Sequence, residues 1–169
     1  MRLPSRFTAR LMALSILVTG IATTASAQLM TERGIDAASA QTVLQGCFAD
    51  AEAKQQRFSI IVVDSGGHLV AALRMQGARP GNTAFATEKA KAAALWGFAT
   101  SRMERSAENL PGFADAPAVV TVAGGVPIYS ADGKQILGAI GVSGGAPSAD
   151  EACAKAGITA AGLQAERVR

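Results

Sequence analysis

His68 is the one histidine of the chain, and it closes the run Asp64-Ser65-Gly66-Gly67-His68. That run has two readings. In the first it is turn chemistry: Asp64 accepts backbone N–H groups and the glycines take positive φ. In the second the imidazole is held at a sheet end as a metal ligand or general base. A zinc centre needs three or four converging Cys, His or carboxylate ligands. One histidine and two distant cysteines, Cys47 and Cys153, do not supply that spacing. A Ser-His-Asp triad is not excluded by count, since all three residue types are present. Gly144-Gly145 precedes a helix without the Lys-Ser/Thr pair or the Rossmann spacing of a nucleotide loop. Lys89 shares a helix side with Phe85 and Trp96. It reads as a ligand clamp or perturbed base in an apolar setting, or as a side chain that snorkels past the rings to water. Arg74 has no readable partner. Met75 and Met103 read as packing, with Tyr129 beside them as a weaker ligand. Free N–H groups at the start of the last helix suit a carboxylate, although Asp150 and Glu151 already complement that dipole.

These residues need elements to hold them. Ala40, Val43, Leu44, Cys47, Phe48 and Ala51 recur at spacings of three and four, which predicts a helix over 37–56, capped by Asp36 or Ser39. Residues 58–63 and 69–75 read as paired strands around Ser65-Gly66-Gly67, so 58–75 forms a hairpin. Asn82 is the expected N-cap of a central helix over 83–103, followed by a loop over 109–117. Strands are expected at 119–123, 127–130 and 135–143, the last two joined at Asp132-Gly133. Ser148 and Glu151 form a capping box for a final helix from about residue 149. The predicted class is α/β (α+β): a largely antiparallel five-stranded sheet with N-terminal, central and C-terminal helices packed on it. Abundant Ala and Gly imply a core built on close backbone approach.

The N-terminus has its own chemistry. Arg2, Arg6 and Arg10 precede an apolar run over 11–22, and Ala25-Ser26-Ala27 fits the small-x-small cleavage rule. The run is shorter than the roughly 20 residues a spanning helix needs. Residues 1–27 therefore read as a signal peptide, 28–169 as one mature domain, and the expected compartment is the periplasm or the medium, with no membrane anchor left after cleavage. The signal carries three of the 16 Lys+Arg and none of the 13 Asp+Glu, so 16 − 3 leaves 13 bases against 13 acids. A net charge of zero removes the electrostatic case for nucleic acid. In an oxidising compartment the two cysteines, each on the inward stripe of a terminal helix, either bridge or pack as buried thiols.

The order of motifs resembles GlcG/HbpS-like proteins. Val62-Val63-Asp64-Ser65-Gly66-Gly67-His68-Leu69-Val70, Arg74-Met75 and Glu88-Lys89-Ala90 match the first half of the family pattern. Gly124-Gly125-Val126-Pro127-Ile128, the run from Gly138 to Gly145, and Asp150-Glu151-Ala152-Cys153-Ala154 match the second. The resemblance spans about residue 36 to the C-terminus. It implies a compact antiparallel sheet with helices, homo-oligomers, and the site positions Asp64, Gly67, His68, Arg74, Lys89, Ser143 and Asp150. The family includes extracellular haem-binding proteins. The expected function is binding, carriage or sensing of a small ligand, with haem or a related tetrapyrrole leading and His68 on the iron. A flat ligand would lie in a cleft between subunits, its carboxylates on Arg74 or Lys89. The alternatives are an enzyme or accessory protein for a small organic acid, using His68 and Lys89, and an oligomeric module without a ligand.

Overall fold

The computed structural model describes residues 34–168. The expected signal peptide lies outside the described residues. Helix α1 spans Ala37–Ala53, and Asp36 caps it by accepting the Ser39 N–H at 2.8 Å. The hairpin follows as β1 (Ser59–Asp64) and β2 (Leu69–Arg74). Then come α2 (Pro80–Trp96), α3 (Thr100–Asn109), a short 3-10 turn at Phe113–Asp115, β3 (Gly125–Tyr129), β4 (Ile136–Ser143) and α4 (Pro147–Ala160). The strands form one antiparallel sheet in the order β2-β1-β4-β3.

Alternation along the central strands splits the core between two faces. Ile60, Val62, Ile140 and Val142 pack with α1 and α4, whereas Ile61, Val63 and Ala139 pack with Ala86, Ala90 and Ala93 of α2. The described residues thus form three layers, helix, sheet and helix. Close approach replaces bulk where the layers meet: a Cβ on Gly141 would overlap the Ala86 carbonyl, and one on Gly157 would overlap the Val43 carbonyl. At the α1–α4 crossing Cys47 and Cys153 form a disulfide with Cα atoms 4.8 Å apart. Both alternatives for the cysteines were open in the sequence, and the bridge is the one realised.

Four sequence expectations are corrected. The sheet has four strands, not five. Residues 119–123 have no ladder because β4 runs out: its last pairing to β3 is Gly125 with Gly141, after which only the Val142 N–H reaches the Gly124 carbonyl. The central helix is two helices. Gly97 adopts left-handed φ (+70°) and ends α2, and the Tyr129 hydroxyl donates to its carbonyl at 2.8 Å. That helix also begins earlier, at Pro80 with Arg79 in the cap position, because proline is preorganised for the first turn. The capping box is absent: α4 starts at Pro147, Asp150 turns back to the Gly145 N–H, and Glu151 pairs with Lys155 at 2.7 Å. After α4 the chain lies along the outer side of β3, through paired hydrogen bonds between Tyr129 and Gln164 and one from Val168 N–H to Gly133, which shields that edge.

Candidate functional site

The family positions fall into two groups at opposite ends of the sheet. Asp64, Gly67 and His68 sit at the β1–β2 turn. The Asp64 carboxylate accepts the Gly66 and His68 N–H groups at 2.9 and 2.8 Å, and Gly67 has φ +82°. Turn chemistry is therefore real here. The same carboxylate also lies 3.2 Å from His68 Nδ1, and the imidazole is 82% exposed. A carboxylate at Nδ1 favours the tautomer protonated there, which leaves the Nε2 lone pair for a ligand. Burial pushes the Asp64 carboxyl up, but the hydrogen bonds and charge of His68, with the Gly66 N–H, outweigh it and hold Asp64 below the ordinary value.

The second group is buried. Lys89 is 1% exposed, and its Nζ lies 2.9 Å from Asp150 and 3.1 Å from the Val142 carbonyl. The Phe85 ring covers it, with its centroid 4.8 Å away. Lys89 comes from α2 on one face of the sheet and Asp150 from α4 on the other. They meet where Gly124 removes the obstruction, since a Cβ there would lie 2.7 Å from Lys89 Nζ and 2.9 Å from the Asp150 Cβ. The other Asp150 oxygen accepts the Gly145 N–H at 3.0 Å. Burial pushes the Asp150 carboxyl above its ordinary range, against Lys89 and the Gly145 N–H. The expectation that Lys89 snorkels to water is overturned, because a buried carboxylate and a carbonyl satisfy its ammonium. Trp96 does not join it and packs instead on Phe98 and Phe113.

Ser143 ends β4 beside this pair, opposite Ser59, which in turn pairs with Arg74 across the sheet. The Arg74 guanidinium donates to the Ala78 carbonyl. No nucleophile elbow was expected from the sequence, yet Gly141-Val142-Ser143-Gly144-Gly145 has the Gly-x-Ser-x-Gly spacing, at a strand-to-helix turn. It has no histidine base: Ser143 lies opposite the first residue of β1, whereas His68 lies past the last, roughly 16 Å away by strand rise. For the same reason His68 and Lys89 do not form one acid–base site within a chain. Met75 and Met103 are buried in packing, and both cysteines are bridged. Among the described residues no three His, Cys, Asp or Glu side chains cluster to hold a metal ion, and no helix is long and apolar enough to cross a membrane.

An open groove of about 1000 Å³ escaped the sequence reading. It runs beside the α2–α3 break, with Trp96, Phe98, Tyr129, Arg102, Arg105 and Lys155 among its lining. The one sequence signal was Arg102 and Arg105, three apart on a helix. Its aromatic floor is assembled by folding from segments distant in the chain.

An antiparallel four-stranded sheet between helical layers, with a glycine-flanked buried Lys–Asp pair and an Asp–His turn, defines the class of protein. The chain matches the family model described as "Haem degrading protein HbpS-like" over residues 35–159, and it belongs to that family. It is 40% identical over 95 residues to Protein GlcG of Escherichia coli strain K12, covering 56% of this chain and 69% of that one. Among solved structures it is similar to a double mutant of Streptomyces reticuli HbpS, with a TM-score of 0.73 at 27% identity, covering 80% and 92% of the two chains. A PduOC:heme complex shares the fold, with a TM-score of 0.72 at 23% identity over 79% and 99%.

Proposed function

We propose that this is an exported, homo-oligomeric ligand-binding protein that holds haem or a related tetrapyrrole, for carriage or sensing, with His68 as an iron ligand. The observation that carries this reading is the geometry of His68. Asp64 orients the ring through Nδ1, and the ring stands open to solvent, so Nε2 would be free to hold the iron. Among the described residues, His68 alone of the histidine, methionine and cysteine candidates combines an orienting partner with access; Met75 and Met103 are buried and the cysteines bridged. The family description and the haem complex of the PduOC neighbour support the choice of ligand. Bound haem would supply iron-centred ligand exchange or redox chemistry; the chain's part is to orient and shield it. A turn at a sheet end covers only one side of a macrocycle, which is why a neighbouring subunit completes the site.

The test is hemin titration of purified protein. The expected result is a saturable visible band, with oligomers by size exclusion and, from the native host, an intact mass beginning at Gln28. In His68→Ala, confirmed folded and equally oligomeric, the iron-ligand spectrum changes and affinity falls. An unchanged spectrum removes His68 from the iron, and no saturable band in the parent protein removes haem.

A further inference from the structure

We propose that the groove beside the α2–α3 break is a separate binding site for a small organic polyanion, a flat body bearing two or more carboxylates. This goes beyond the haem reading and does not depend on it, because His68 does not line the groove.

Three observations converge. The first is charge segregation. Residues 28–169 carry 13 bases and 13 acids, yet five of those bases, Arg102, Arg105, Lys134, Lys155 and Arg167, line this one groove against two acids, Glu151 and Glu166. A stretch of zero net charge with a local excess of three positive charges (5 − 2) has concentrated its field in one concavity, where low-dielectric walls strengthen it.

The second is that four of these five cations are unspent. Lys155 is paired with Glu151. Among the described residues no carboxylate lies within salt-bridge distance of Arg102, Arg105, Lys134 or Arg167. Asp132, the carboxylate next to Lys134 in sequence, is engaged instead by the Ser130 hydroxyl and the Lys134 backbone N–H. Arg102 and Arg105 lie one turn apart on α3, so two guanidinium forks face the same space. Planar forks of this kind recognise carboxylates in a bidentate manner.

The third is the floor. Arg102 stacks over the Phe98 ring at 5.0 Å, which fixes the guanidinium and leaves its N–H edge free. Phe98 in turn meets the edge of Trp96 at 6.0 Å, and Trp96 is tied to the Pro117 carbonyl through its indole N–H. The Tyr129 hydroxyl is held by Gly97. Trp96, fixed by these contacts yet 37% exposed, offers apolar surface to a flat ligand at little ordering cost on binding.

The experiment uses benzene-1,3,5-tricarboxylate as the flat probe and citrate as the aliphatic one. Calorimetry measures affinity, and the fluorescence of Trp96, the only tryptophan in the chain, locates the site. Saturable binding of the aromatic triacid is expected, tighter than that of citrate and accompanied by a change in Trp96 emission. Arg102→Gln and Arg105→Gln, both on the exposed side of α3, should each weaken it by about tenfold. Arg79→Gln removes a base outside the groove, and His68→Ala removes the proposed iron ligand; both should bind like the parent. The proposal is overturned by absence of saturable binding, by an equal loss in Arg79→Gln, or by citrate binding as tightly as the aromatic probe. A normal triacid site in a protein that ignores hemin would defeat the haem reading and leave this one standing.

Discussion

Lys89 and Asp150 show how a residue-scale choice becomes irreversible for the fold. Neither charge reaches water, so each depends on the other and on two backbone groups. Losing one partner strands the other. Lys89→Ala is therefore expected to cost about 3–5 kcal/mol, whereas Lys89→Met combined with Asp150→Leu should recover much of that loss. Urea denaturation of the three proteins checks it, and a double variant no better than the single one would refute the pairing argument. The aspartates also set the acid limb of stability. Burial raises Asp150, so its folded form binds a proton more readily than its unfolded form, and it adds stability as pH falls toward 3.8 from above. Asp36, Asp64 and Asp132 are lowered, so their contribution is present above 3.8 and is lost as pH falls below it. The urea midpoint should thus rise slightly on mild acidification and then fall. Asp64→Asn should soften the fall without moving the rise.

At the scale of elements, what the sequence disclosed and what it withheld have separate physical causes. The hairpin and α1 were legible because their signals are local: an apolar stripe, a Gly-Gly turn, and a cap at Asp36 or Ser39; α4 was read as a helix, but from a capping box that does not form. The break at Gly97 was withheld because glycine inside an apolar pattern is ambiguous until a partner fixes it. Here the partner is Tyr129, 32 residues downstream, which donates to the Gly97 carbonyl. The extra strand at 119–123 was read from β propensity alone, which says nothing about whether a neighbouring edge is free. The buried pair was half legible: Lys89 and Asp150 stood out individually, but their meeting depends on Gly124, whose empty side-chain position no local pattern announces. Glycine spacing between elements makes a prediction of its own. Gly157→Ala gains helix propensity but drives a Cβ into the Val43 carbonyl across a crossing held by the disulfide. The net effect should be destabilising by about 1–3 kcal/mol. Gly81→Ala, also helical but facing open space, should instead stabilise by about 0.4–1 kcal/mol. Thermal melts with the same sign for both would refute this.

At the scale of the molecule, the three layers divide the labour. The sheet and its inner helices hold a sealed ion pair, the β1–β2 turn presents an imidazole to solvent, and α3 with the C-terminal segment builds the cationic groove. Both proposed sites therefore lie at the margins, while the centre supplies rigidity. The Cys47–Cys153 bridge, separated by 106 residues, gives this arrangement a covalent outline. Every strand, α2 and α3 lie between the two bridged positions. Residues 47–153 are in effect a closed ring, and a ring cut once is still one molecule. The exposed stretch around Leu110–Gly112 is where a protease should cut first. A single nick there should leave one band of undiminished mass on a non-reducing gel and two on a reducing gel, with the sheet still paired. Separation into fragments without reductant would mean that the bridge does not form.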